Sequence, residues 1–173
     1  MQHGDSGTRD EVDALVPLWQ AELPPSLVAT LELSKRISRI SGLFEQAVRA
    51  EMAELGLTYS EFDVLAALYR TGEPYRLKPS ELSRSLFLTS GGTSNVLQRL
   101  TKAGYVEREA NTGDGRSRWV QLTADGCRIT RTALAASSRV HTEVMAGVPE
   151  ESIREAADAL REILLVVGRR RFH

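Results

Sequence analysis

Cysteine is nearly absent. The lone Cys127 can neither close an internal disulfide nor supply a Cys-x-x-Cys metal site, which excludes a disulfide-stapled scaffold and a cysteine-held zinc module. The three histidines, His3, His141 and His173, show no His-Glu-x-x-His spacing, so no metal and no cofactor are expected. With 6 prolines and 13 glycines the chain is neither collagen-like nor low in complexity. Long apolar runs are missing too, and nothing approaches the roughly 18 to 20 residues of a membrane span. Residues 1–10 lack the basic and apolar regions of a signal peptide, which leaves a soluble cytoplasmic protein with no membrane partner as the expectation. Catalytic signatures are equally scarce. Ser90-Gly91-Gly92 is not followed by the Gly-Lys-Ser or Gly-Lys-Thr of a phosphate loop, and no coherent Ser, His and Asp arrangement is visible, so an enzyme is disfavoured. Net charge is the last absence: 22 Lys plus Arg against 23 Asp plus Glu leave -1, which excludes a uniformly basic chain.

What is present is unevenly placed. Between Arg76 and Arg118 there are eight bases and four acids, a local excess of four, while the remainder carries a deficit of five. Attraction for phosphate follows local potential rather than the whole-chain sum, so a neutral chain can hold a basic module. Charge alone leaves a DNA-facing surface and a chance fluctuation on a solvated face equally open.

The 173 residues, 42% of them hydrophobic, suit one domain with extensions. Residues 1–10 read as a flexible leader. Val12, Leu15, Val16 and Trp19 recur at helical spacing and stop before Leu23-Pro24-Pro25. From Ser26 a longer stripe follows through Leu27, Leu31, Leu33, Ile37, Ile40, Phe44 and Val48, more than a small domain usually buries. Thr58-Tyr-Ser-Glu61 has the form of a capping box ahead of Phe62, Val64, Leu65 and Leu68, and Thr71-Gly72 ends that helix. Pro79 suits the first position of a short helix, and a further helix runs from about Ser90 to Lys102 on a stripe of Val96, Leu97 and Leu100, stopped by Gly104.

The period then shortens. Residues 105–109 and 118–122 alternate as two strands around the turn-rich 111–116, a hairpin with a basic tip. Thr123 caps a helix reaching about Met145, and Pro149 opens a last one carrying Ile153, Ala157, Leu160, Leu164 and Val167. The reading is a mainly α chain with a small β-hairpin: 11–57 as N-terminal helices, 58–122 as a winged helix-turn-helix module, 123–168 as C-terminal helices and 169–173 as a basic tail. The terminal helices expose more apolar stripe than the middle can cover, which points to an intertwined homodimer, with an intramolecular bundle as the alternative.

Two short helices joined by a tight turn and followed by a hairpin form a winged helix-turn-helix when the second helix stands clear. Ser90, Thr93, Ser94, Asn95 and Gln98 supply the hydroxyls and amides that can read base edges in a major groove. Lys78, Arg84, Arg99 and Lys102 are placed to hold phosphates, although solvent exposure without a partner is the alternative for Arg84 and Lys102 taken singly. At the hairpin tip Asp114 is close enough to orient Arg116 for a minor groove, and Arg118 extends the same wing. Cys127, near a helix start, is read as an inert small side chain rather than a redox group.

Residues 57–65 (Leu-Thr-Tyr-Ser-Glu-Phe-Asp-Val-Leu), 77–82 (Leu-Lys-Pro-Ser-Glu-Leu), 89–100 (Thr-Ser-Gly-Gly-Thr-Ser-Asn-Val-Leu-Gln-Arg-Leu), 104–108 (Gly-Tyr-Val-Glu-Arg) and 114–123 (Asp-Gly-Arg-Ser-Arg-Trp-Val-Gln-Leu-Thr) together resemble the MarR family of winged-helix transcriptional regulators. The resemblance implies a homodimer formed by terminal helices, double-stranded DNA with a pseudo-palindromic operator as partner, and repression relieved by a small molecule or an oxidant. The added first helix with Trp19, the segments Gly56-Leu57 and Glu61-Phe62-Asp63, and Arg108 resemble the subgroup of PecS, TamR and urate-responsive regulators. That likeness implies an effector pocket built from Trp19, Asp63 and Arg108 for a small aromatic or anionic compound. Val96 stands where the urate-responsive pattern has a second Arg, which speaks against urate itself, and Lys78 replaces a frequent Thr cap. Each pocket residue also has a structural reading: Trp19 as an anchor, Asp63 as a helix-start charge, Arg108 as a partner of Glu107, Glu109 or DNA. A noncatalytic protein-interaction module on the same fold is the alternative function.

Overall fold

The computed structural model describes residues 9–86, 90–109 and 119–168, apart from the side chains of Ser26, Ser90 and Glu109. Seven helices and three strands run through them: α1 (Val16–Gln20), α2 (Pro25–Glu54), α3 (Tyr59–Tyr69), β1 (Arg76–Leu77), α4 (Pro79–Ser85), α5 (Ser90–Lys102), β2 (Val106–Glu109), β3 (Trp119–Leu122), α6 (Ala124–Val144) and α7 (Glu150–Val167). No helix among the described residues is long and apolar enough to cross a membrane.

The first helix is shorter than its apolar spacing suggests. Residues 11–15 form turns, because the Asp10 carboxylate accepts the backbone N–H groups of Val12 at 2.8 Å and Asp13 at 3.1 Å, and Pro17 suits only the first turn of the helix that follows. Asp10 is therefore not part of a loose leader. The Arg36 guanidinium hydrogen-bonds to it at 2.7 Å and holds its carboxyl below the ordinary carboxylate value. That contact pins the start of the described chain to the middle of α2.

The core lies where α3 meets α2, α5, α6 and β3, and it gathers Val48, Met52, Leu65, Leu68, Leu82, Leu97, Leu100, Val120 and Ala133. The hairpin is one edge longer than expected. Arg76 and Leu77 pair antiparallel with Gln121 and Val120, giving a three-stranded sheet of order β1-β3-β2. A two-residue strand carries no period of its own, so only its partner reveals it. In β2–β3 the register sets Arg108 opposite Val120 and Glu107 opposite Gln121.

Two caps fix the helices around this core. The Thr58 hydroxyl accepts the Glu61 N–H at 3.3 Å, while the Glu61 carboxylate accepts the Thr58 N–H at 2.7 Å, the reciprocal bonds of a capping box. At the start of α6, Thr123 accepts the Gly126 N–H at 3.0 Å and donates its hydroxyl proton to the Gly104 carbonyl at 2.7 Å. This second cap ties α6 to the turn between α5 and β2, where Gly104 takes a φ of +77° that a side chain would resist.

The ends are different. No residue of α7 is buried within the protomer, and Leu164, Leu165 and Val166 are about as exposed as the charged residues around them. Leu27, Leu33, Ile37, Ile40 and Leu43 form a further exposed apolar row on α2.

Candidate nucleic-acid interface

The candidate surface is built on α5. Its inward stripe consists of Thr93, Leu97 and Leu100, all buried, at the spacing that stacks side chains on one helix face. The opposite stripe, Gly91, Ser94, Asn95, Gln98 and Lys102, is exposed. Burial of one face therefore presents the other, and the presented side chains are a hydroxyl, two amides and an ammonium. Ser94, Asn95 and Gln98 are all exposed on this face. The Ser90 side chain lies outside the described residues.

Thr93 is a correction. It is only 1% exposed, and its hydroxyl lies 2.8 Å from that of Ser83 on α4, so it joins the two helices of the motif instead of facing outward. Its spacing of four and seven residues from Leu97 and Leu100 is the signal that marks it as an inward position. Ser83 also donates to the Pro79 carbonyl at 3.0 Å, which fixes its hydroxyl at this crossing.

The cations fall into three groups. Arg84 and Lys102 are exposed at the ends of α4 and α5, where positive charge also suits the helix dipole. Lys78 and Arg76 are organised by an aromatic ring that sequence reasoning passes over as a strand residue. The Arg76 guanidinium lies 5.0 Å from the centroid of Trp119 and the Lys78 ammonium 5.3 Å from it. Trp119, opposite Glu109 at the end of the sheet, therefore gathers two cations beside the start of α4. Arg99 differs again, since its Nε pairs with a Glu61 carboxylate oxygen at 3.0 Å. Asp114, Arg116 and Arg118 lie outside the described residues.

The three residues expected to form an effector pocket stand on three elements, α1, α3 and β2. Trp19 is half-buried on α1, which packs on α2. Arg108 is exposed on β2 and lines a small cleft with Pro79, Ser83, Ser94 and Leu97. Asp63, on α3, faces Glu45, Arg49 and Arg70; burial pushes its carboxyl above its ordinary value and Glu45 adds to the shift, while the two arginines oppose it.

The larger concavity is elsewhere. A cleft of about 970 Å³ opens between α2, α6 and the starts of α3 and α7, lined by Phe44, Glu45, Tyr59, His141, Met145 and Ile153 among others. Phe44 and His141 meet edge to face at 4.9 Å. Arg49 pairs with Glu45 and lies 5.3 Å over the Tyr59 ring, so the charge at this rim is locally balanced. Burial pushes the Cys127 thiol up, with Glu73 adding to the shift and Arg131 opposing it, the reverse of what an activated thiolate needs.

A short helix crossing a second one that presents a polar face, with an antiparallel sheet completing the unit, defines a winged helix-turn-helix protein. Residues 55–117 match the family model described as MarR family. The chain is 30% identical over 141 residues to the HTH-type transcriptional regulator PecS of Dickeya dadantii, covering 82% of this chain and 85% of that protein. It is also 30% identical to the HTH-type transcriptional repressor Rv2887 of Mycobacterium tuberculosis, covering 72% of this chain and 88% of that one. The chain thus belongs to the MarR family of transcriptional regulators. Among solved structures, a mutant MarR from E. coli complexed with operator DNA superposes with a TM-score of 0.68 at 21% identity, covering 90% of this chain and 99% of that one. CouR from Rhodococcus jostii RHA1, bound to p-coumaroyl-CoA, shares the fold with a TM-score of 0.65 at 21% identity, over 76% of this chain and 90% of that one.

Proposed function

We propose that this regulator works in the cytoplasm as a homodimeric repressor that binds a pseudo-palindromic operator and leaves it when a small effector binds. The observation that carries the DNA-reading part is the division of α5 into a buried stripe and an exposed stripe of Ser94, Asn95 and Gln98. A helix held on one side by Thr93, Leu97 and Leu100 offers the other side as a rigid unit to a major groove. Lys78, Arg84 and Lys102 then flank it as phosphate contacts, which set position rather than sequence preference. Asp114, Arg116 and Arg118 are assigned to the wing and the minor groove. The unburied α7 and the apolar row of α2 support pairing of two protomers.

For the effector, the cleft with Phe44, Tyr59 and His141 supports an aromatic compound, and Trp19, Asp63 and Arg108 are not among the residues that line it. The deciding experiment is selection of duplexes from a random pool by the full-length protein, followed by footprinting of the winner. A palindromic footprint whose affinity falls steeply with salt is the expected result. Recovery of no preferred duplex would overturn the reading in favour of a protein-interaction module.

A further inference from the structure

The Glu61 carboxylate serves two elements at once. Its Oε2 accepts the Thr58 backbone N–H at 2.7 Å and the Thr58 hydroxyl at 2.8 Å, closing the cap of α3. Its Oε1 meets the Arg99 Nε at 3.0 Å, on α5. The carboxylate is almost fully buried, with the Glu61 residue only 6% exposed, whereas the Arg99 side chain is about 60% exposed. A buried anion fixed by two local hydrogen bonds has little freedom to follow its partner, so the guanidinium is the part that is held. Arg99 directly follows Gln98, whose amide is on the exposed face of the same turn.

We propose that Glu61 is a positioning residue for operator recognition: through Arg99 it fixes the rotation and height of the recognition helix α5 on α3, so Arg99 is a tether and not a phosphate contact. The inference rests on the DNA-reading conclusion above and replaces the phosphate role that the sequence suggests for Arg99. Apolar packing of Leu97 and Leu100 tolerates small rotations of α5, because dispersion contacts are not directional. A charged hydrogen bond from the last turn of the helix is directional, and it ties α5 to the start of α3, where Tyr59 lines the cleft between α2 and α6. The same carboxylate is therefore bonded both to the residue before Tyr59 and to the reading helix.

The test uses full-length Glu61→Gln and Arg99→Gln and the double variant, with the duplex selected by the unaltered protein and a scrambled duplex of equal length. Glutamine at the third helical position still completes a capping box, so Glu61→Gln keeps α3 capped while it removes the ion pair. As a tether, either single change lowers the preference for the selected duplex over the scrambled one about tenfold, and the double change costs no more than one single change. The dependence of affinity on salt stays the same in all of them.

If Arg99 instead holds a phosphate, Arg99→Gln flattens the salt dependence by about one charge for each protomer bound. Glu61→Gln then frees the guanidinium and leaves binding equal or tighter, and either outcome overturns the proposal. Amide hydrogen exchange supplies a reading independent of DNA: both variants speed exchange in α5 while α6 is unchanged. If no duplex is selected at all, the DNA-reading conclusion falls, and unaltered exchange in α5 would remove the tether as well.

Discussion

The Cα of Gly126, in the first turn of α6, lies against the Tyr105 carbonyl so closely that a methyl group there would stand 1.9 Å from the oxygen and 2.9 Å from the carbon. The same carbonyl accepts the Thr123 N–H at 3.1 Å. The helix leaving the DNA-reading unit is thus seated directly on the turn that enters β2, with no side chain between them. Both of these atoms belong to the backbone, so neither can swing aside. Gly126→Ala is expected to destabilise the protein by at least the roughly 1–3 kcal/mol of ordinary overpacking. Urea unfolding followed by circular dichroism measures this, and a midpoint equal to the parent's would show that the approach is looser than described.

Much of this arrangement is legible in the sequence because it depends on local rules. Thr58 with Glu61, Pro79, Gly104, Thr123 and Pro149 mark helix ends through bonds made within a few residues, and each stands at the boundary it predicts. What escapes is what distant residues decide. Arg76 and Leu77 become a strand only because Gln121 and Val120 lie beside them, and Trp119 becomes a platform for two cations only once β1 is in place. Glu61 is legible as half of a cap, but its second oxygen is committed by Arg99, 38 positions further along. Thr93 shows a different failure: a hydroxyl on a presumed reading helix invites a functional role, although its spacing already groups it with Leu97 and Leu100.

The exposed face of α5 separates residues that specify from residues that attract. Gln98→Ala and Asn95→Ala remove amides able to bond a base edge in two places, worth about 1–3 kcal/mol each against the wrong base. Each should weaken binding to the selected duplex and leave its salt dependence and the affinity for scrambled DNA unchanged. Lys102→Ala should do the converse, weakening both duplexes alike and reducing the slope of log K against log salt by about 0.9 for each of the two protomers. Fluorescence anisotropy at a series of salt concentrations distinguishes the two patterns. An equal loss on both duplexes for Gln98→Ala would remove that residue from base recognition.

Leu164 is 63% exposed and Val166 60% exposed on a helix with no buried residue. Water contact over so much apolar surface is relieved when a second copy covers it. Leu164→Glu combined with Ile37→Glu places charges on both exposed stripes, and desolvating an unpaired carboxylate opposes association strongly. Light scattering after size exclusion should show a dimer for the parent and a monomer for the double variant, with operator affinity lost because the two half-sites are no longer bound together. A double variant that still elutes as a dimer would move the interface away from these helices.

Asp63 gives the protein a pH dependence of definite sign. Burial raises its carboxyl pKa above the ordinary 3.8 and Glu45 raises it further, against the lowering effect of Arg70 and Arg49. Between the unfolded value near 3.8 and the raised folded value, the folded state binds more protons than the unfolded one, so this group's contribution to stability falls as pH rises through that window. Above the folded pKa the full cost of holding the charge remains. Asp63→Asn keeps the shape and removes the charge, so it should stabilise the protein at neutral pH, by an amount that fades as the pH drops to 3.8 and below. Partial exposure of the carboxyl to solvent keeps the gain small. Urea titrations of both proteins across acidic and neutral pH measure the difference, and an Asp63→Asn variant less stable at pH 7 than the parent would mean that Arg49 and Arg70 outweigh burial at this site.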